Sequence, residues 1–200
     1  MKKVGILGGT FDPVHLGHLM IAKQAKQELQ LDEMYLMPTG KSPHKEDNEI
    51  TRTTDRLAML RLALKDEKEL RLSTYEVDNG MINYSYLTLQ MLSEEHPDAE
   101  LYFVMGADSL FHFSTWKHPK DIAKHATLAV AVRDDLPIQR IMEEVQKTKE
   151  AYDARIVLLH SPKRAISSHE IRSRIHDGLL VDDMLPKEVY RYILEHQLYL

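Results

Sequence analysis

The stretch Val4 to Leu7, followed by Gly8-Gly9-Thr10-Phe11-Asp12-Pro13-Val14-His15-Leu16-Gly17-His18-Leu19, restricts the fold more than any other part of this chain. A buried strand, a glycine turn and a helix start, in that order, build an anion site. Glycine lets the backbone approach a ligand closely, and the unpaired N–H groups and positive dipole end of the helix attract negative charge. His15 and His18 are three residues apart, so at a helix start both imidazoles face one spot. Two imidazoles above a phosphate-binding turn can donate hydrogen bonds to the charge that grows during phosphoryl or nucleotidyl transfer. Two other readings share the pattern: the strand–turn–helix of an unrelated α/β nucleotide binder, and a zinc site on the histidines. The zinc site is poorly supplied, because the chain has no cysteine and no carboxylate at a spacing such as H-E-x-x-H.

The rest of the chain alternates strand and helix signals. Strands are expected near Lys3–Gly8, Met34–Met37, Leu70–Val77, Leu101–Met105, Thr127–Val132 and Arg155–Leu159. Helical spacing or start signals mark Leu16–Leu29, Thr54–Leu64, Tyr84–Glu95, Ile138–Lys149, His169–His176 and Pro186–Glu195, and Lys41–Glu49 reads as a polar loop. This alternation predicts an α/β Rossmann-like fold: a mostly parallel sheet flanked by helices, with ligand at the C-terminal strand ends. At 200 residues the chain is expected to form a single domain, residues 1–200, with a helical C-terminal part over 165–200. The 31 acidic against 26 basic side chains give a net charge of −5, which argues against nucleic acid as a partner. No span of ~20 apolar residues appears, so membrane insertion is not expected and a cytoplasmic setting is. The sequence leaves homo-oligomer formation open.

The glycine turn resembles the H-x-G-H signature of the nucleotidylyltransferase superfamily, and its longer form G-G-T-F-D-P-x-H-x-G-H is similar to the bacterial nicotinate-nucleotide adenylyltransferase family. The resemblance implies a nucleotidyltransferase fold and an enzyme that moves AMP from ATP to nicotinate mononucleotide, releasing pyrophosphate in NAD biosynthesis. It implies that Gly8, Gly9, Thr10, Phe11, His15 and His18 bind ATP, with His15, His18 and Arg172 catalytic. Mg²⁺ is expected with ATP, held by phosphates and water rather than by a protein ligand set. Another adenylyltransferase of the superfamily, of the pantetheine-phosphate type, and a non-catalytic nucleotide-binding sensor are the alternatives.

Further motifs extend the resemblance along essentially the whole chain. Ile166-Ser167-Ser168-His169-Glu170-Ile171-Arg172 contains a capping box, Ser167 to Glu170, that by itself marks only a helix start. It also resembles the superfamily's S/T-S/T-x-x-I-R motif, which implies that Ile166, Ser167, Ser168 and Arg172 bind ATP, the serines and Arg172 at its phosphates. Gly106-Ala107-Asp108 follows a buried strand. Asp108 there is either a helix cap or, by resemblance, a ligand of the adenosine ribose. Trp116 is either core or, by resemblance, part of the pyridine enclosure. Ser42-Pro43-His44-Lys45 resembles the family's P-P-H-K/R loop, which implies Lys45 at the mononucleotide. Arg133 ends a strand on the ligand side, as an exposed charge or as a phosphate contact. Asn83 to Leu89 resembles S-Y-T-x-D-T-L and places Ser85 and Tyr86 at the mononucleotide, with Leu87 where the family has Asp. That replacement is expected to remove a negative charge from the acceptor's surroundings.

Overall fold

The computed structural model describes residues 1–40, 50–80, 82–132, 137–160 and 166–200. In chain order the elements are β1 Lys2–Gly9, α1 Leu16–Glu28, β2 Glu33–Pro38, α2 Thr53–Leu64, β3 Arg71–Leu72, α3 Tyr75–Asp78, α4 Ser85–Glu95 and β4 Ala99–Gly106. They continue with α5 Ala107–Phe111, a 3₁₀ turn Phe113–Thr115, α6 Pro119–His125, β5 Thr127–Val132, α7 Ile138–Tyr152, β6 Ile156–His160, α8 Ser168–His176 and α9 Lys187–Glu195. The six strands form one sheet in the order β3-β2-β1-β4-β5-β6. Every neighbouring pair is parallel, with Gly5 opposite Met34 and Tyr102 fixing the register at the centre. This is the doubly wound order of a Rossmann-like sheet, built outward in both directions from β1 and β4.

Alternation along the central strands divides the core in two. Leu7 points to one face, where it meets Leu19 and Ala22 of α1, Met59 and Leu60 of α2, Ile171 and Ile175 of α8, and Val189 and Ile193 of α9. Ile6 points to the other, with Leu89 of α4, Leu110 of α5, Ile122 of α6 and Ile141 of α7. A parallel sheet covered on both faces needs this continuous apolar stretch. The C-terminal helices are therefore core elements: Tyr192 of α9 also donates its hydroxyl to Asp55 of α2 at 2.9 Å. Among the described residues no helix is long and apolar enough to cross a membrane.

The sequence expectation of a strand over Leu70–Val77 is corrected. Only Arg71 and Leu72 pair with β2. At Thr74 the chain turns: its carbonyl accepts the N–H groups of Val77 and Asp78 at 2.9 and 2.8 Å, and its hydroxyl bonds Asp78 at 2.6 Å. The local bonds of a threonine and an aspartate outweigh the β propensity of Tyr75 and Val77. The resulting single turn, α3, directs Glu76 inward. The helices α5 and α6, of five and seven residues, are too short to show a periodic pattern.

Candidate active site

The chain runs from β1 outward to β3 and then returns to β4, so the carboxyl ends of β1 and β4 flank the crevice where the winding direction reverses. Two cavities open there. The larger, about 360 Å³, is lined by Gly8, Gly17, His15 and His18, by Gly106 and Asp108, and by Ile166, Ser167 and Ser168. The smaller, about 240 Å³, is lined by Gly8, Gly9, Thr10 and Thr39, and by Glu76, Asn83, Ser85 and Thr88. Gly8, Phe103, Ser109 and Trp116 border both. A still larger cavity, about 520 Å³, lies on the sheet face beside the amino-terminal halves of the strands, against Val4, Tyr35, Tyr75 and Leu101. Among the described residues, none of those singled out as site candidates in the sequence lines it, and neither His15 nor His18 does.

His15 is the N-cap of α1 and His18 its third helical residue. Their rings stack with centroids 3.6 Å apart. His15 Nδ1 accepts the His18 N–H and His18 Nδ1 accepts the His15 N–H, both at 3.3 Å. The pair thus forms a capping box of imidazoles, a version that no Ser/Thr-x-x-Glu/Gln template detects. With each Nδ1 accepting, the neutral ring carries its proton on Nε2, so each ring keeps one donor beyond the helix cap. Burial pushes the His15 pKa down to about 4, and burial followed by the neighbouring His15 puts His18 well below the usual imidazole range. Gly17 makes the stack fit: a Cβ there would lie 3.0 Å from His15 Nδ1 and 3.4 Å from the Ile166 Cβ. Phe11, fully buried with φ of 51°, backs the pair by meeting His18 edge-on at 4.8 Å.

The turn between β1 and α1 is held from below by side chains that the sequence did not single out. Arg56 of α2, 1% exposed, donates to the carbonyls of Thr10, Thr39 and Thr51 at 2.8, 3.0 and 3.2 Å and to the Thr53 hydroxyl at 3.0 Å. Asp12, 4% exposed, accepts the Thr51 N–H at 3.2 Å and the Tyr199 hydroxyl at 2.7 Å. The Leu16 N–H reaches the Met184 carbonyl at 3.0 Å. A buried arginine in an apolar helical pattern carries one available signal, the shortage of partners for a charge placed there. The Asp12 partners lie too far away in sequence to be read from it.

Most of the sequence-singled residues meet at the crevice, with exceptions. Ser167 caps α8 by accepting the Glu170 N–H at 3.1 Å, and Ser168 Oγ donates to the Pro13 carbonyl at 2.9 Å, so the second motif is tied directly to the first. Arg172 also joins that contact, with Nη1 on the Asp12 carbonyl at 2.7 Å, but it is not in the lining of either cavity. Asp108 sits in the first turn of α5, whose N-cap is Gly106, and faces the larger cavity; it is not the helix cap. Trp116 packs against Phe103 and Phe113, as its core reading expects, and also lines both cavities. Phe11 lies behind the site. Tyr86 turns away to the His118 ring, 4.5 Å distant. Lys45 and Arg133 lie outside the described residues.

Leu87, where the family has Asp, is away from the crevice, and a carboxyl that does stand there is that of Glu76. The buried Glu76 carboxyl stands in the wall of the smaller cavity, accepting the Thr88 hydroxyl at 2.8 Å. Burial raises its pKa, and hydrogen bonds from Thr88 and Thr39 offset part of that rise. Next to it the start of α4 has no side-chain cap, so its first N–H groups remain an anion-binding end beside Ser85.

Comparison with known proteins agrees with this geometry. The cytidylyltransferase-like family model matches residues 6–174. A Clostridium beijerinckii protein named "probable nicotinate-nucleotide adenylyltransferase" is 37% identical over 203 residues, spanning all of both chains. A Thermomicrobium roseum protein of the same name is 39% identical over all of this chain and 92% of its own. Among solved structures, the nicotinic acid mononucleotide adenylyltransferase of Plasmodium falciparum complexed with NaAD superposes with a TM-score of 0.83 at 20% identity, over all of this chain and 98% of that one. That last likeness concerns the fold.

Proposed function

Because the chain belongs to the cytidylyltransferase-like family and, within it, to the nicotinate-nucleotide adenylyltransferases, we propose that it transfers AMP from ATP to nicotinate mononucleotide, giving deamido-NAD and pyrophosphate. The observation that carries the reading is the pair of cavities meeting at Gly8, Phe103, Ser109 and Trp116. Two substrates lying end to end across that border bring an acceptor phosphate against the α-phosphate of ATP. We assign ATP to the larger cavity, beside the histidines and the start of α8, and the mononucleotide to the smaller one, beside the start of α4.

In this mechanism a phosphate oxygen of the mononucleotide attacks the α-phosphorus in line, and the bond from that phosphorus to the β-phosphate oxygen breaks as pyrophosphate leaves. The acceptor is already anionic, so no side-chain nucleophile is required. Catalysis consists of positioning and charge stabilisation. The Nε2–H donors of His15 and His18 meet the phosphates as charge develops. Ser167, Ser168 and the N–H groups that open α8 hold the leaving group, with Arg172 adding a fixed positive charge beside them.

Members of this family use a divalent ion with ATP, which we take to be Mg²⁺. Among the described residues no three His, Asp or Glu side chains come together as a cage. Such an ion would be held chiefly by phosphate oxygens and water, and would supply charge neutralisation at the triphosphate. We place the reaction in the cytoplasm, with ATP and the mononucleotide as partners.

A pyrophosphate-release assay with ATP tests the reading against nicotinate mononucleotide, nicotinamide mononucleotide, 4′-phosphopantetheine and no acceptor. Release with the nicotinate form above all others is expected. Release with phosphopantetheine alone replaces the substrate, and nucleotide binding without release from any acceptor makes the chain a sensor.

A further inference from the structure

The geometry points to Tyr199 as a positioning residue of the adenylyl-transfer site, acting through Asp12 on Arg172 and on the ring that backs His18. The inference rests on the proposed roles of Arg172 and His18. Tyr199 lies 187 residues from Asp12 in sequence, yet its hydroxyl donates to Asp12 Oδ1 at 2.7 Å. Asp12 Oδ2 takes the Thr51 N–H, and the Asp12 carbonyl takes Arg172 Nη1 at 2.7 Å. One residue thus joins the far end of the fold, the segment before α2 and the second phosphate motif.

Two features mark the contact as specified rather than incidental. Tyr199 has φ of 66°, a left-handed backbone that a bulky side chain keeps only where its surroundings fix it. Burial and the adjacent Asp12 both raise the pKa of its hydroxyl, which therefore remains a donor. Asp12 is almost fully enclosed, so water does not readily replace the lost donor when the hydroxyl is removed. Its neighbour Phe11 meets the His18 ring edge-on. A shift of Asp12 consequently moves the backing of His18 and the anchor of Arg172 together. In-line transfer is sensitive to such shifts, with ~10²-fold in rate at stake for about 1 Å.

The test is a double-mutant cycle of Tyr199→Phe and Arg172→Lys in the full chain, reading kcat, KM for each substrate and thermal unfolding. Tyr199→Phe keeps the ring and removes only the hydroxyl. It is expected to lower kcat about ten- to a hundredfold while unfolding stays cooperative and KM for the mononucleotide stays within about twofold. The double variant is expected to be no more than about threefold slower than Arg172→Lys alone, because both act through one residue. Losses that simply multiply, or a Tyr199→Phe enzyme at wild-type kcat beside an impaired Arg172→Lys, overturn the inference alone. Loss of the cooperative transition in Tyr199→Phe makes the residue structural and overturns it too. Arg172→Lys at the wild-type rate instead removes the reading of Arg172, and the inference with it.

Discussion

The Nδ1 atoms of His15 and His18 each accept the other residue's backbone N–H at 3.3 Å, with the two rings stacked at 3.6 Å. The helix start therefore uses one nitrogen of each imidazole for its own capping and presents the other to ligand. Structure and chemistry share the same two side chains, and substitutions there separate the two roles.

His18→Ala removes one Nε2 donor and one cap acceptor. Loss of a donor to developing charge costs about 10²–10³ in kcat. The lost cap costs about 1 kcal/mol of stability, too little to unfold the chain. Steady-state kinetics beside thermal unfolding check the pair. A kcat near wild type with intact folding places His18 outside the chemistry.

Acid should destabilise the protein through His15. Its folded pKa is about 4 against 6.5 for an unperturbed imidazole, so between those values the unfolded chain binds a proton that the folded chain refuses. Stability contributed by the neutral ring is present above pH 6.5 and is lost as pH falls toward 4, to the extent of ~3 kcal/mol. His15→Asn keeps a capping oxygen and removes the titration. Urea unfolding of both proteins across that window should show the variant losing less stability on acidification. Parallel curves contradict the assignment.

Gly17→Ala sets two effects against each other. Alanine favours the helix by up to ~1 kcal/mol, while its Cβ, 3.0 Å from His15 Nδ1, displaces the imidazole by a few tenths of an ångström. Stability should change by under ~1 kcal/mol while kcat falls about tenfold, since placement matters more to transfer than to folding. Calorimetry and kinetics on one preparation decide it; an unchanged kcat shows that the stack tolerates the shift.

The acid form of the acceptor should be preferred over the amide by at least ~10² in kcat/KM. The uncapped start of α4 offers N–H donors to a carboxylate, whereas an amide turns donors against donors. Glu76 in the same wall works against the acid. Glu76→Gln should therefore widen the preference. Equal kcat/KM for the two mononucleotides, measured at saturating ATP and Mg²⁺, ends this account of selectivity.

The strand-turn-helix around Gly8 was readable because its cause is local: apolar run, glycine, helix start. The second motif was readable because Ser167 caps its own helix three residues on. What escaped the sequence depends on long-range partners. Arg56 holds three loop carbonyls, and Tyr199 reaches Asp12 across the length of the chain. Neither leaves a periodic trace. Glu76 escaped for another reason: two short strand residues followed by one helical turn look, by composition, like a single longer strand.

The border between the two cavities also contains the chain's single tryptophan. Trp116 is half-buried and touches the walls of both, so the protein carries an intrinsic optical reporter at the place where its substrates meet. Emission excited selectively at the indole, away from the nine tyrosines, would follow the filling of each side without a label. Order of binding, normally inferred from inhibition patterns, then becomes a spectroscopic observable, titrated one nucleotide at a time.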